Sequence, residues 1–178
     1  VNESGITVVA HIGATRHDNN GYDRRSGDVL ALAPRPTIAN FHRSRNINDF
    51  LASMVFDRLF ERFPYLRIAS VENGSEFLPD LFRKLSSMQR KLPGWFDEDP
   101  ADTFRRHVWI NPFWEDDSRE IVDLMGADRV IFGSDWPHIE GMPSPLDYAV
   151  ELKEFDDADR RLILNDNTAR LTQLRPAG

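Results

Sequence analysis

Residues 130–138 read Val-Ile-Phe-Gly-Ser-Asp-Trp-Pro-His. Three consecutive large apolar residues, stopped by a Gly-Ser turn signal, describe a strand buried on both faces. Asp135 then falls at the carboxyl end of that strand. In parallel α/β folds this is the end where ligands bind and chemistry is done. Asp135 and His138 stand three residues apart, pinned by the stiff Trp136-Pro137 step. A carboxylate and an imidazole so placed form a metal-ligand or acid/base pair.

The same pattern recurs upstream. A β-rich run, Ile6 to Ala10, ends in His11. Leu66 to Val71 ends in Glu72-Asn73-Gly74. His107 to Ile110 is closed by Asn111-Pro112. Strands are therefore expected near residues 6–11, 66–72, 107–111 and 129–134. Between them, Ile47, Phe50, Leu51, Met54, Val55 and Leu59 recur at helical spacing behind a cap at Asn46 or Asn48, ending near Arg62. A second helix runs from Ser75 or Pro79 to Leu92, where Pro93-Gly94 stops it. A third is short, capped by Asp117 or Ser118 and ended by Gly126. Three more lie near 146–154, 156–164 and 167–174. Residues 15–37 and 93–103 read as loops.

Strands alternating with helices predict a parallel sheet with crossover helices. About four βα units make an α/β fold that is half of a TIM (β/α)8 barrel, which needs roughly 200 residues or more. A flavodoxin-like open sheet is the competing arrangement. No Gly-rich phosphate loop supports a nucleotide-binding version of it.

Composition narrows the classes. The 178 residues suit one domain, and 12 Phe with 4 Trp can fill a core. A formal net charge of −7 with no basic stripe disfavours nucleic acid. No apolar run reaches membrane-spanning length and no signal peptide is visible. Cysteine is absent, which excludes thiolate chemistry and agrees with a cytoplasmic setting. The chain enters its first strand almost at Val1, as though it began in the middle of a larger fold. Its first and fourth strands need partners, from a second copy of the chain or from a missing N-terminal half-barrel.

If the strands are parallel, their ends share one mouth, and His11, Glu72, Asp135 and His138 gather there. One imidazole with two carboxylates suits a divalent metal such as zinc or manganese. Each residue also has an ordinary structural role open to it. His11 could be a satisfied core histidine, Glu72 a turn carboxylate capping the next helix, Asp135 a turn former, and His138 a surface residue. His17, His42 and His107 read as structural or exposed. Arg16, Arg24 and Arg25 in the long loop could meet an acidic substrate.

Phe132 to Gly141 (Phe-Gly-Ser-Asp-Trp-Pro-His-Ile-Glu-Gly) resembles the last-strand motif of the amidohydrolase-2 family, metal-dependent barrel enzymes related to aminocarboxymuconate-semialdehyde decarboxylase. Val8 to Gly13 resembles the family's fifth strand. Phe60 to Ile68 with Val71 to Gly74 and Phe77-Leu78-Pro79 resembles its fifth helix and sixth strand. Asn165 to Leu171 resembles the closing helix. The resemblance covers nearly the whole chain and implies the C-terminal half of the barrel. It makes His11 and Asp135 metal ligands, with zinc or manganese as the cofactor. Asp135 also steers a water, and His138 bonds substrate or supports a ligand. Where decarboxylase members carry a histidine base on the sixth strand, this chain has Glu72, which could bind metal or act as general base. The family's first-strand His-x-His has no counterpart here.

Three functions follow as expectations. The first is metal-dependent hydrolysis of a small carboxylate, lactone or amide-like compound through a metal-activated water. The second is nonoxidative decarboxylation of an unsaturated or aromatic acid. The third is a noncatalytic half-barrel that self-associates and holds no metal.

Overall fold

A computed structural model describes residues 1–12, 44–138 and 141–173 of the chain. Three parallel strands form one sheet in the order β1 (Thr7–His11), β2 (Arg67–Val71) and β3 (Val108–Ile110). Thr7 pairs with Arg67 and His11 with Val71, while Ile68 pairs with Val108 and Ser70 with Ile110. The segment expected as a fourth strand contributes less than the apolar run promised. Val130 makes a parallel bridge to Ile110, and Ile131 N donates to Ile110 O at 2.9 Å. Beyond it the chain leaves the sheet, and Phe132 N donates to Ile163 O at 3.1 Å, in the turn that precedes the last helix. Strand order follows chain order with no reversal. Among the described residues that order agrees with the barrel progression.

Side chains alternate across this sheet with the two-residue period of strands. Ile68, Val108, Ile110 and Val130 face the helices and join the main core with Leu51, Phe60, Leu78, Leu85, Phe104 and Ile163. Ala69, Val71, Trp109 and Ile131 occupy the opposite face with Leu171. Phe104 is fully buried and meets Phe82 edge to face, ring centroids 5.5 Å apart. Truncating such a ring to Ala removes about 3–5 kcal/mol.

The helices are α1 (Arg45–Phe56), α2 (Leu59–Arg62), α3 (Leu78–Lys91), α4 (Pro100–His107), α5 (Ser118–Met125), α6 (Tyr148–Glu151), α7 (Asp157–Arg161) and α8 (Asn167–Thr172). The helix expected to run on to Arg62 is broken between α1 and α2 by Arg58 in the left-handed region, φ 55°. The expected acidic loop 93–103 overlaps α4. Asp99 caps that helix by accepting from Ala101 N, and Pro100 takes its first position. This Asp-Pro pair is a helix-start signal that the surrounding acidic residues obscured. Asp117 caps α5 as expected, accepting from Arg119 N and Glu120 N, and Gly126 ends it. A π-helical turn, Leu162–Asp166, joins α7 to α8 and buries Asn167. Among the described residues no helix is long and apolar enough to cross a membrane. The expected loop 15–37, with Arg16, His17, Arg24 and Arg25, lies outside the described residues, as does His42.

Candidate active site

Because the strands are parallel, β1, β2 and β3 deliver His11, Glu72 and Asn111 to one edge. Asp135 follows the Val130 bridge to the same edge. Two of the four depart from strand geometry. Glu72 and Asp135 both adopt left-handed backbone conformations, φ 56° and 54°. Asp visits that region more readily than most residues, but Glu does so rarely, at a cost of about 1–3 kcal/mol. The strand ends are tied so firmly that they impose it. Asn73 is buried, and its Nδ2 donates to Ala10 O at 2.8 Å and Val71 O at 2.9 Å, stitching β1 to β2 beside Glu72. Around Asp135, His138 N donates to Asp135 O at 2.8 Å and Met142 N to Ser134 O at 2.9 Å. The loop closes so tightly that a Cβ at Gly141 would lie 2.4 Å from Asp135 O.

The side chains pair as two carboxylate–imidazole dyads. His11 Nε2 is 3.1 Å from Glu72 Oε2, and His138 Nδ1 is 3.2 Å from Asp135 Oδ2. His11 is no core histidine, since 55% of its side chain is exposed. Its Nδ1 lies 2.9 Å from Ile12 O. A carbonyl only accepts, so Nδ1 carries the hydrogen, and a neutral His11 would present a bare Nε2 lone pair to a carboxylate. Two acceptors at that distance require a cation between them, a proton or a metal ion. Accordingly the Ile12 carbonyl, then Glu72 and Asp135, hold the His11 pKa above its usual value. Glu72 does not cap the following helix, which begins six residues later at Leu78.

Glu72 and Asp135 line one cleft of about 40 Å³, with Ile12 and Ser134 beside them and Phe113 and Trp114 at its side. Among the described residues, no group of three His, Cys, Asp or Glu side chains is arranged to hold a metal ion. The expected imidazole and two carboxylates share a mouth without closing into a ligand set, because the Asp135 carboxylate turns toward His138. The donor chemistry nevertheless fits a metal: the Nδ1–H of His11 is anchored to a carbonyl and its Nε2 is directed at an anionic oxygen.

His107 takes the structural role expected of it. It is buried, stacks on Phe60 at 4.5 Å, and donates from Nδ1 to Leu66 O at 2.7 Å. Burial pushes its pKa down. Asp116 is a further half-buried carboxylate beside the cleft, one that no motif marks. This carboxylate accepts from Phe113 N at 3.0 Å and from Ser75, while burial pushes its pKa up. Its signal is a local one: an Asp four residues after Pro112, in a run too short and polar for a helix, favours a side-chain-closed turn.

A parallel βα sheet with carboxylates and imidazoles at its carboxyl edge is the arrangement expected of (β/α) barrel enzymes, whose active sites sit at that end. The amidohydrolase family profile (Amidohydro_2) matches residues 1–173, and the chain belongs to that family. It is similar to the crystal structure of amidohydrolase map2389c from Mycobacterium avium subsp. paratuberculosis K-10, with 37% identity and a TM-score of 0.82. That match covers 96% of this chain and 43% of the other. It is 35% identical over 103 residues to a 4-sulfomuconolactone hydrolase of Hydrogenophaga intermedia, covering 52% of this chain and 32% of the relative. It shares its fold with a dihydroxybenzoic acid decarboxylase from Polaromonas sp. JS666, a structure with bound manganese. There the identity is 19%, the TM-score 0.57, and the coverage 78% of this chain and 46% of the other. The chain spans about a third of the length of the curated relatives it matches.

Proposed function

We propose that this chain is the C-terminal half of a (β/α)8 barrel, and that its strand ends form part of a metal-dependent hydrolase site acting on a lactone or related small carboxylate. The observation that carries the reading is the His11–Glu72 contact. A proton on Nε2 satisfies the 3.1 Å approach to Glu72, and with Nδ1–H committed to Ile12 O the same orientation offers Nε2 as a metal ligand once that proton is given up.

In this reading His11 and Asp135 hold a divalent ion, zinc or manganese, and the remaining ligands come from the other half of the barrel. A bound divalent ion supplies Lewis acidity and lowers the pKa of a water molecule to near 7. Glu72 accepts the proton of the attacking water, its carboxylate fixed by the backbone twist at the end of β2. Asp135 orients that water, and His138 holds the Asp135 carboxylate through the 3.2 Å contact. Hydrolysis is favoured over decarboxylation on two grounds. Glu72 stands where the resemblance puts a histidine base in decarboxylases, and the hydrolase of Hydrogenophaga intermedia is 35% identical.

The test is a metal-loaded assay of the chain, with and without the half-barrel that completes it, against unsaturated lactones and aromatic carboxylic acids. Ring opening that consumes one water, and falls by about 10²–10⁴ in Glu72→Gln, is the expected result. Carbon dioxide release without ring opening would transfer the chain to the decarboxylases. A metal-free, inactive chain that self-associates would make it a structural half-barrel.

A further inference from the structure

Glu72, Asn73 and Gly74 carry the chain from the end of β2 to Ser75, and both ends of that short span are tied. At one end Val71 closes the ladder, and its carbonyl accepts from Ile12 N at 3.0 Å. At the other, Ser75 is buried and donates to the Asp116 carboxylate from both its N–H and its hydroxyl. Asp116 is itself fixed to the loop after β3. Its Oδ2 accepts from Phe113 N at 3.0 Å, and its N donates to Phe113 O at 3.2 Å. Asn111 N donates to Ser70 O at 2.8 Å and seats the start of that loop against β2. Between the two ties the backbone is left-handed twice, at Glu72 (φ 56°) and at Gly74 (φ 68°). Glycine suits this conformation, and here no side chain would fit, because a Cβ on Gly74 would meet the Phe113 ring at 2.9 Å. Glutamate does not suit it, so something outside Glu72 imposes it.

A carboxylate is the group that can hold such a tie. Its two oxygens only accept, and together they serve three N–H and O–H donors. An amide of the same shape has one accepting oxygen and turns an N–H toward one of those donors. We propose that Asp116 is a positioning residue of this site: by holding Ser75 from the loop of the neighbouring strand, it forces the left-handed turn at Glu72 and directs the Glu72 carboxylate toward His11. This tie is separate from the Asn73 stitch, which joins β1 to β2. Its consequence for catalysis rests on the reading of Glu72 as a general base, whereas the forced backbone stands without it.

The test is a mutant cycle between residues 72 and 116, read by urea unfolding of the full chain. Glu72→Gly and Glu72→Ala are each made in the parent, in Asp116→Asn and in Asp116→Ala. With Asp116 present, the glycine variant has a folding equilibrium constant about five-fold greater than the alanine variant, since only glycine takes that backbone freely. Without the tie residue 72 relaxes to negative φ, where alanine is favoured. The ratio then falls to about one or below in Asp116→Ala and moves toward that value in Asp116→Asn. A ratio that stays at about five in both, with overall stability lowered, makes Asp116 a brace and overturns the proposal. Asp116→Asn keeps the side-chain volume, so its ratio decides the matter if Asp116→Ala does not fold. In the metal-loaded lactone assay Asp116→Asn lowers kcat by about ten-fold at unchanged KM, and an unchanged kcat overturns the positioning of Glu72. An inactive parent counts against the hydrolase reading alone, because the stability ratio needs no activity.

Discussion

Asn167 is the residue on which the position of Asp135 depends from farthest away. It is 1% exposed, and its Nδ2 donates to Ala127 O and Val130 O, each at 2.8 Å. Val130 forms the parallel bridge that joins the last segment to the sheet, five residues before Asp135. Replacing Asn167 by Ala removes both donors and leaves two carbonyls short of partners in a buried place. At about 1–2 kcal/mol for each bond, the loss is about 2–4 kcal/mol. For a chain of this size that lowers the melting temperature by about 5–15 °C. Asn167→Asp keeps the shape but sets a carboxylate against two carbonyl oxygens. Its neutral form is favoured in the folded state, so its pKa rises above the unfolded value of about 3.9. The variant is then least destabilised in acid and loses stability as pH rises through the folded-state pKa. Urea melts of the parent and both variants at pH 4, 5.5 and 7.5 measure this. If Asn167→Ala unfolded within about 0.5 kcal/mol of the parent, the size of a surface substitution, or if Asn167→Asp showed no pH slope beyond the parent's, the amide would not be the pin described.

Two other substitutions probe the same region. Glu72→Gly and Glu72→Ala both delete the carboxylate, but only glycine accepts φ 56° freely. The glycine variant should be the more stable by about 1 kcal/mol in chemical denaturation, and equal stabilities would remove the claim of backbone strain. Burial depresses the His107 pKa. Below the unfolded value of about 6.5 the unfolded chain takes up a proton that the folded chain refuses, so stability falls as pH drops from 7 toward the folded-state pKa. His107→Phe should flatten that part of the pH–stability curve relative to the parent, and an identical curve would contradict the assignment.

The strands and the convergence of their ends were legible because hydrophobic runs and punctuation are local. Val130 to Phe132 was apolar enough to be recognised as buried, yet its pairing could not be read. How much of a run joins a ladder depends on its neighbour, and β3 itself is only three residues long. Helix α4 was hidden because a cap signal, Asp99-Pro100, sat in a stretch whose acidity suggested solvent. The dyads were half legible. Asp135 and His138 were near in sequence, whereas His11 and Glu72 meet only because the parallel register brings His11 beside Val71. The left-handed backbone of Glu72 had no sequence signal at all, since glutamate is among the residues least expected there. Asn73, Asp116 and Asn167 act through bonds to distant carbonyls and amides, and composition says nothing of those.

The central claim is that His11 presents Nε2 to a cation shared with the carboxylates. Nitrogen-15 NMR of the histidine rings, recorded on the full chain while one equivalent of zinc is added, addresses it directly. The account predicts that the His11 Nε2 resonance moves to the metal-bound range with Nδ1 still protonated, and that Asp135→Ala and Glu72→Ala each weaken the change. A His11 signal that titrates with pH alone, unaltered by saturating zinc, would contradict it.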